Sequence, residues 1–287
     1  MITSTSNAQV KQVVALQTKA KVRRELRQFV VEGLRLTGEV PADRLERLYV
    51  TEEFLREHPE AVRRFDGEPD ERKQVDGETR QERMTSQASG AEQTVPHEIV
   101  SEQVLRAMSD TQNPQGILGV VRQQEYSIEE MCRGKKAPRL LILENIQDPG
   151  NLGTMMRTAE AAGVDGVVMS RDTVDIYNPK VVRSTMGAIF RLPFAYVDSL
   201  DEVMSQCKDL GITTYAAHLG GRNNYDQEDY TTGCAFLIGN EGNGLTDHLA
   251  EQADILVKIP MAGKAESLNA AVAAAVLVYE AARQRGW

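Results

Sequence analysis

The segment LLILENIQDPGNLGTMMRTAEAAGVDGVVMS (140–170) decides the fold class of this chain. It opens with a short apolar run (140–144), passes through a turn-rich loop into a helical pattern (152–162), and closes with a second apolar run (166–170). Short apolar strands separated by a helix are typical of parallel strands that are covered on both faces. This segment therefore predicts a strand–helix–strand unit of an α/β domain.

The same alternation continues on the carboxyl-terminal side of that unit, up to residue 287. The predicted strands are LLILE (140–144), GVVMS (166–170), PFAYV (193–197), TTYAA (213–217), AFLIG (235–239) and ILVKI (255–259). A further helix is predicted over 200–210. We therefore expect residues 139–287 to form a parallel sheet with helices on both faces.

The last predicted helix runs from 267 to about 283, with Ser267 as its N-cap. One face of this helix carries Leu268, Ala271, Val272, Ala275, Val276 and Tyr279. Its many alanines would permit close packing, for example against a second subunit.

Residues 1–124 predict a smaller α/β domain. Helical patterns lie near 8–16, 20–27, 34–39, 54–64 and 101–108, and strand-like runs lie at 29–33, 47–51 and 117–121. Residues 66–96 are nearly devoid of large apolar side chains and cannot bury enough surface to offset their ordering entropy, so a mobile insertion is expected there. Residues 125–138, which end in RGKKAP, are predicted to be a polar linker.

Composition restricts the class of protein. Hydrophobic residues make up 41% of the chain and charged residues 26%, as in ordinary globular proteins. No run of about 18 apolar residues and no secretory signal pattern are present, so a cytoplasmic protein without a membrane span is expected. Three cysteines and four histidines are scattered without metal-ligand spacing, which predicts neither a disulfide framework nor a bound metal.

The formal net charge of −9 speaks against nucleic acid, but the charge is unevenly distributed. Residues 1–36 carry seven cations and only two anions, a net charge of +5. These cations are Lys11, Lys19, Lys21, Arg23, Arg24, Arg27 and Arg35. Because phosphate contacts are local, they form a candidate RNA-binding surface. A solvated helix face is the alternative that charge alone leaves open.

Three loops are expected at the carboxyl edge of the predicted sheet, where ligands bind in such folds. The first, ENIQDPGNLG (144–153), leads into the helix that carries Arg157. The second, GNEGNG (239–244), has three glycines, which let a ligand approach the backbone closely. The third is IPMAGKAESLN (259–269). Each loop by itself has an ordinary structural explanation, such as a helix cap or close packing, so only the set carries a functional prediction.

Taken in order, NLGTMMRTA (151–159), LIGNEGNGL (237–245) and IPMAGKAESLNAAVAAAVLVYE (259–280) resemble the three motifs of the SpoU/TrmH branch of SPOUT RNA methyltransferases. The resemblance covers about 139–285 and includes RSTMGAIFRLPF (183–194). In the first domain, SNAQVK (6–11), VVEGLRL (30–36) and NPQGILGVV (113–121) resemble the substrate-binding domain of these enzymes. That domain is related to kink-turn-binding ribosomal proteins, and the stretch 66–96 departs from its pattern.

The resemblance implies a deep trefoil knot in the carboxyl-terminal domain and a homodimer that transfers a methyl group from S-adenosylmethionine to a ribose 2′-hydroxyl of RNA. Ribosomal RNA is favoured over transfer RNA because a separate RNA-binding domain precedes the catalytic one. The implied catalytic residues are Asn151, Arg157, Glu241, Ser267 and Asn269. The implied cofactor-binding positions are Ala217, His218, Leu237, Ile238, Gly239, Asn240, Gly244, Ile259, Pro260, Met261, Leu268 and Asn269.

Several other functions compete with this one. A non-catalytic RNA-binding or ribosome-assembly protein of the same fold is disfavoured because all five implied catalytic residues are present. A nucleotide-dependent oxidoreductase lacks support, since no acidic residue is placed for ribose binding after an early strand. Methylation of a base nitrogen belongs to other SPOUT branches with different motifs. Arg157 is better described as a cation than as a general base, because arginine stays protonated in proteins.

Overall fold

The chain forms two compact units, Met1–Gln123 and Gln124–Trp287, in a computed structural model that describes residues 1–63 and 95–286. The insertion predicted at 66–96 lies outside the described residues, except for its last two positions. Among the described residues, each unit has its own sheet, with four strands in the first and seven in the second. Within the described ranges, no helix is long and apolar enough to cross a membrane.

The first unit packs helices on a small mixed sheet. Its helices are α1 (Ala8–Thr18), α2 (Ala20–Leu26), α3 (Leu34–Gly38), α4 (Glu52–Glu57), α5 (Glu60–Arg63) and α6 (Glu102–Met108), and its strands are β1 (Gln28–Glu32), β2 (Leu45–Val50), β3 (His97–Ile99) and β4 (Ile117–Arg122). The strand order is β1-β4-β2-β3, and only β2 and β3 run parallel to each other. The single helix predicted over 54–64 is interrupted at His58, because a residue before proline is disfavoured in the helical conformation.

The second unit is a parallel sheet with helices. Its strands are β5 (Arg139–Leu143), β6 (Gly166–Ser170), β7 (Phe194–Val197), β8 (Thr213–Ala217), β9 (Asn223–Asn224), β10 (Cys234–Ile238) and β11 (Ile255–Lys258), and its helices are α7 (Ile128–Cys132), α8 (Pro149–Ala161), α9 (Pro179–Ser184), α10 (Leu200–Asp209), α11 (Asp247–Gln252) and α12 (Ala270–Gln284). The order is β7-β6-β5-β10-β8-β11-β9, and every neighbouring pair is parallel. The predicted parallel α/β sheet is confirmed.

The core of the second unit fixes the strands whose ends form the site. Leu140 and Ile142 of β5 and Leu237 of β10 are fully buried in one apolar cluster with Val203 and Cys207 of α10. Burial of this size stabilises each large apolar side chain by about 1.5–3 kcal/mol. The carboxyl ends of β5, β8, β10 and β11 are therefore held side by side.

The prediction of a polar linker at 125–138 is wrong in its middle. Helix α7 lies there, and the Ser127 and Glu130 side chains form a capping box at its start. Ile128, Met131 and Cys132 are spaced three and four residues apart, so they share one face of the helix and join the core of the second unit.

Two helices start at residues other than those predicted. Helix α8 begins at Pro149 rather than at 152, because Asp148 accepts a hydrogen bond from Asn151 N (2.8 Å) and proline favours the first helical position. Helix α12 begins at Ala270, since the Asn269 side chain accepts from two backbone N–H groups of the first turn. Ser267 is therefore not the N-cap of α12.

Candidate active site

Three loops meet at the carboxyl edge of the second sheet. The first follows β5, the second follows β10 and the third joins β11 to α12. Strands β5 and β10 are hydrogen-bonded neighbours, and Glu144 N extends their ladder by donating to Ile238 O at 2.9 Å. Residues that are far apart in the sequence are therefore brought within hydrogen-bonding distance of one another.

A continuous chain of side-chain hydrogen bonds links the three loops. Asn269 Nδ2 donates to Asn151 Oδ1 at 3.0 Å, and Asn151 Nδ2 donates to Glu241 Oε1 at 3.0 Å. Asn151 lies in the first turn of α8, directly after the first loop, and Glu241 and Asn269 come from the second and third loops, so the chain fixes these three segments relative to one another. Three of the five implied catalytic residues thus lie in direct contact.

Glu241 is also held by the backbone of the first loop. Its two carboxylate oxygens accept hydrogen bonds from Gln147 N and Asp148 N, both at 3.0 Å. Partial burial acts to raise the pKa of the Glu241 carboxyl, but the hydrogen bonds from Asn151, Gln147 and Asp148 outweigh it. The net effect is a pKa below the ordinary value, so Glu241 is a carboxylate at neutral pH.

A cavity of about 400 Å³ opens between these loops. It is lined by nine of the implied cofactor positions: Ala217, His218, Ile238, Gly239, Asn240, Gly244, Ile259, Met261 and Leu268. Leu237, Pro260 and Asn269 do not line it. Leu237 points into the core, and the Asn269 side chain caps α12. Each of them is next in sequence to a lining residue, Ile238 or Leu268, but does not itself face the cavity.

The wall of the cavity is partly bare backbone. A Cβ atom added to Gly239 would lie 2.1 Å from Gly244 C and from Leu245 N, so no side chain fits at this position. Ile259, Met261 and Leu268 contribute apolar surface to the same cavity. An apolar slot beside exposed peptide groups suits a flat heteroaromatic ring that carries polar substituents.

Some residues that line the cavity were not predicted from the sequence. Asp247, Val257, Lys258 and Ala273 are among them, and Leu219, which is 70% exposed, follows the predicted residues Ala217 and His218 on the turn after β8. The His218 ring accepts a hydrogen bond from Gly220 N at its Nδ1 atom (3.1 Å), which leaves Nε2 as the donor. Only the spatial proximity of these residues marks them, and no sequence pattern carries that signal.

The two remaining implied catalytic residues occupy different places. Ser267 lines the cavity. Arg157 is exposed on α8, one and a half turns beyond Asn151, and does not line the cavity. No ion pair or hydrogen bond holds its guanidinium among the residues that the structure describes. Arg157 is therefore an accessible cation on the helix that also positions Asn151.

The predicted RNA-binding cations of the first unit divide into two groups. The exposed ones are Lys11, Lys19, Lys21, Arg24, Arg27 and Arg35. Arg23 is only 3% exposed, and its guanidinium donates to Leu16 O (2.7 Å) and Gln17 O (3.1 Å). The assignment of Arg23 to RNA binding is wrong, because its charge is used to satisfy carbonyl groups in the last turn of α1.

Residues 1–63 and 95–286 contain no group of three or more His, Cys, Asp or Glu side chains that could hold a metal ion. The prediction that no metal is bound stays a prediction.

Two sequence families match the chain. Residues 138–279 match the SpoU rRNA Methylase family, and residues 7–119 match the MRM3-like substrate binding domain. The 23S rRNA (guanosine(2553)-2'-O)-methyltransferase RlmP of Bacillus subtilis (strain 168) is 38% identical over 181 residues, which cover 63% of this chain and 70% of that protein.

Two solved structures are similar over nearly the whole chain. The AdoMet-bound rRNA methyltransferase from Sinorhizobium meliloti is 30% identical, with a TM-score of 0.77 over 98% of this chain and 97% of that one. The SpoU methyltransferase AviRb from Streptomyces viridochromogenes, in complex with AdoMet, is 26% identical, with a TM-score of 0.76 over 97% and 98%. Both relatives were therefore solved with S-adenosylmethionine.

Proposed function

The chain belongs to the SpoU rRNA Methylase family, and from this premise we propose that it transfers a methyl group from S-adenosylmethionine to a ribose 2′-hydroxyl of ribosomal RNA. RNA methylation is the activity of the family. The ribose position and the ribosomal substrate are the specific parts of the proposal, and the name of the Bacillus subtilis relative supports both.

One observation carries the proposal, namely the hydrogen-bond chain from Asn269 through Asn151 to Glu241 beside the cavity. Such a chain fixes the positions of a cofactor loop and of the helix that presents Arg157. A non-catalytic RNA-binding protein would have no need for a small-molecule cavity beside such a chain. The arrangement therefore favours an enzyme over a binding protein of the same fold.

S-adenosylmethionine is the cofactor, and the cavity has the features that this molecule requires. Its volume lies in the range of about 300–1,000 Å³ that is usual for small-molecule sites. We assign Ile259, Met261 and Leu268 to the adenine ring, because they supply the apolar surface. The bare backbone at Gly239 and the Nε2–H of His218 would bind the polar groups of the cofactor.

The protein side of the reaction is positioning and charge stabilisation. The cofactor supplies a methyl group on a positively charged sulfur, and a ribose hydroxyl is a poor nucleophile near neutral pH. We assign Arg157 to orienting an RNA phosphate and to stabilising the negative charge that develops on the attacking oxygen. Asn151 and Glu241 hold the loops in place, which in-line attack requires, and Ser267 adds a hydroxyl to the cavity wall.

The first unit is proposed to hold the RNA. Six of the seven predicted cations are exposed and offer phosphate contacts, and two of them, Lys21 and Arg35, make long ion pairs of 3.7 Å with Glu25 and Glu39. Exposed pairs of this kind contribute at most about 1 kcal/mol and are easily exchanged for phosphate. Binding should therefore weaken steeply with added salt.

A homodimer and a trefoil knot belong to the same proposal. On α12, Val272 is 48% exposed and Tyr279 is 40% exposed, and both lie on the helix face that was predicted from the sequence, although Ala271 of that face is buried. The opposite face, with Ala274 and Leu277, is buried in the core of its own unit. The knot stays a prediction from the resemblance, and the cytoplasmic location stays a prediction from the sequence pattern.

The deciding experiment uses ribosomal RNA from a strain that lacks the enzyme and S-adenosylmethionine with a labelled methyl group. Wild-type protein, Arg157→Ala and Leu268→Arg are incubated in parallel, and the RNA is digested to nucleosides for mass spectrometry. We expect the label in a 2′-O-methyl nucleoside with the wild type only. Leu268→Arg should also lose cofactor binding in calorimetry, because its side chain fills the cavity.

Other results would redirect the proposal. Label in a base would overturn ribose methylation while the methyltransferase assignment stands. Label only when transfer RNA replaces ribosomal RNA would change the substrate. If wild-type protein binds RNA but neither binds the cofactor nor transfers label, the non-catalytic reading replaces the proposal.

A further inference from the structure

A carboxylate outside the cavity is bonded to the end of the glycine-rich loop. Glu144 directly follows β5, and its Oε2 accepts a hydrogen bond from Thr246 N while its Oε1 accepts one from Thr246 Oγ1, both at 2.8 Å. Two hydrogen bonds to an ionised group fix direction as well as distance. Glu144 does not line the cavity, so any effect on the ligand must pass through Thr246.

Thr246 joins the loop to the next helix. Its side chain caps α11 by accepting a hydrogen bond from Leu249 N at 3.3 Å. Residues 239–245 connect the end of β10 to this cap, and each of them lines the cavity. The start of the loop is set by the sheet, and its end is set by the pair Glu144 and Thr246.

Between these ends the loop has little freedom of its own. Gly244 N donates to Asn240 O (2.9 Å), and Asn240 Oδ1 accepts from Gly242 N (2.9 Å). Asn240 Nδ2 also donates to the carbonyl oxygen of Asn145 at 2.8 Å, and Asn145 has a left-handed backbone with φ of 53°. A loop this compact moves as one body, so its attachment points decide where its cavity-facing backbone lies.

We infer that Glu144 is a positioning residue for cofactor binding, acting through Thr246 to hold the glycine-rich loop at the depth that the cofactor needs. The inference rests on the proposed cofactor site. It separates two carboxylates of similar appearance. Glu241 connects the loop to Asn151 and thus to the residues assigned to chemistry, whereas Glu144 connects the far end of the loop to the sheet.

The test compares Glu144→Gln with Thr246→Val and Thr246→Ser in the whole 287-residue chain. In Glu144→Gln, the amide oxygen can still accept from Thr246 N and the amide N–H can donate to Thr246 Oγ1, but the negative charge that strengthens both bonds is lost. We expect the Kd for S-adenosylmethionine, measured by calorimetry, to rise about tenfold, while kcat at saturating cofactor changes less than about threefold. Thr246→Val should raise the Kd by a similar factor, whereas Thr246→Ser, which keeps the hydroxyl, should bind the cofactor as tightly as the wild type does.

A double variant, Glu144→Gln with Thr246→Val, provides the coupling control. Because both changes break the same contact, their effects on Kd should be less than additive. If Glu144 only stabilised the fold, Glu144→Gln would lower the melting temperature and would change Kd and kcat by similar factors. The inference is overturned if Glu144→Gln binds the cofactor as tightly as the wild type does, or if its kcat falls while Kd is unchanged.

The cavity-filling variant Leu268→Arg keeps this inference distinct from the proposed function. If Leu268→Arg abolishes binding while Glu144→Gln has no effect, the cavity assignment stands and the role of Glu144 fails. If Leu268→Arg binds normally, the cofactor lies elsewhere and both assignments fail. Thr246→Val probes the same contact from its other side, so a folding defect in one variant does not remove the test.

Discussion

The two edges of the second sheet carry polar networks with opposite uses. At the carboxyl edge, Asn151 is hydrogen-bonded to both Glu241 and Asn269 beside an open cavity. At the amino edge, the Arg285 guanidinium donates to Tyr230 O (2.6 Å), Ala137 O and Thr232 O. The first network consists of side chains that bond to side chains next to the cavity. In the second network, the guanidinium donates its hydrogen bonds to main-chain carbonyl groups.

The difference shows how one sheet separates stability from function. Arg285 follows α12 directly, and the neighbouring Gln284 exchanges hydrogen bonds with Tyr230 N and Glu228 O at 2.8 and 2.9 Å. These bonds fasten the last helix to the loop before β10. Removing them should loosen the fold, while removing the carboxyl-edge groups should leave a stable protein that does not work.

The largest expected effect is on chemistry alone. Arg157→Ala should lower the single-turnover rate of methyl transfer about 100- to 1,000-fold, the usual consequence of losing one charge-stabilising group. Because Arg157 is exposed, the melting temperature should stay within about 2 °C of the wild-type value. Arg157→Lys is the matched control and should recover only part of the rate. If Arg157→Ala were slow because it is unfolded, this would contradict the separation of stability from function between the two edges.

The next effect belongs to the amino edge. Arg285→Met removes the donors to three carbonyl groups, so the free energy of unfolding should fall by about 2–3 kcal/mol in denaturant titrations. The methyl-transfer rate per folded molecule should not change. If Arg285→Met also lowered the methyl-transfer rate per folded molecule, the two edges would be coupled through α12, whose N-cap is Asn269.

A smaller effect tests whether the carboxyl edge also contributes to stability. The pKa of Glu241 lies below its ordinary value, so its contribution is present above about pH 4.3 and is lost as the pH falls through the lower folded-state pKa. Glu241→Gln should cost less than about 1 kcal/mol at pH 7, because the group is exposed. The difference between wild type and variant should shrink towards pH 3, as measured by urea unfolding.

The smallest effect is expected for the thiols. Burial raises the pKa of Cys207 to about 12, that of Cys234 to about 11 and also that of Cys132. The pKa of Cys234 is raised even though the Arg285 guanidinium lies 3.3 Å from its sulfur. Iodoacetamide should therefore leave the native protein unmodified at pH 8. Faster labelling of Cys234 in Arg285→Met would report local opening of the amino edge.

The sheet and the loops could be read from the sequence because their signals are local. The apolar runs that become β6 and β8 have the same bounds in the structure as in the prediction. The helical pattern predicts the start of α8 too late, because Asp148 and Pro149 are typical of a loop, although aspartate followed by proline is also a helix start. Short elements such as β9 carry too few residues for any pattern.

What the sequence could not supply is the direction in which side chains point. Arg23 and Arg24 are adjacent cations, yet one is buried on the carbonyls of α1 and the other is exposed. Leu237 and Ile238 are neighbours in one motif, but only Ile238 reaches the cavity. Glu144 carried no signal, because its partner Thr246 lies 102 residues away in the chain.

These separations have a consequence for how the protein comes into being. The bond from Asn269 to Asn151 spans 118 residues and that from Asn151 to Glu241 spans 90, so neither can form until most of the second unit has been made and brought together. Contacts between distant residues form slowly because the intervening chain must first be closed into a loop. The ligand cavity should therefore be the last part of the unit to mature, and newly synthesised chains should pass through a folded but inactive stage.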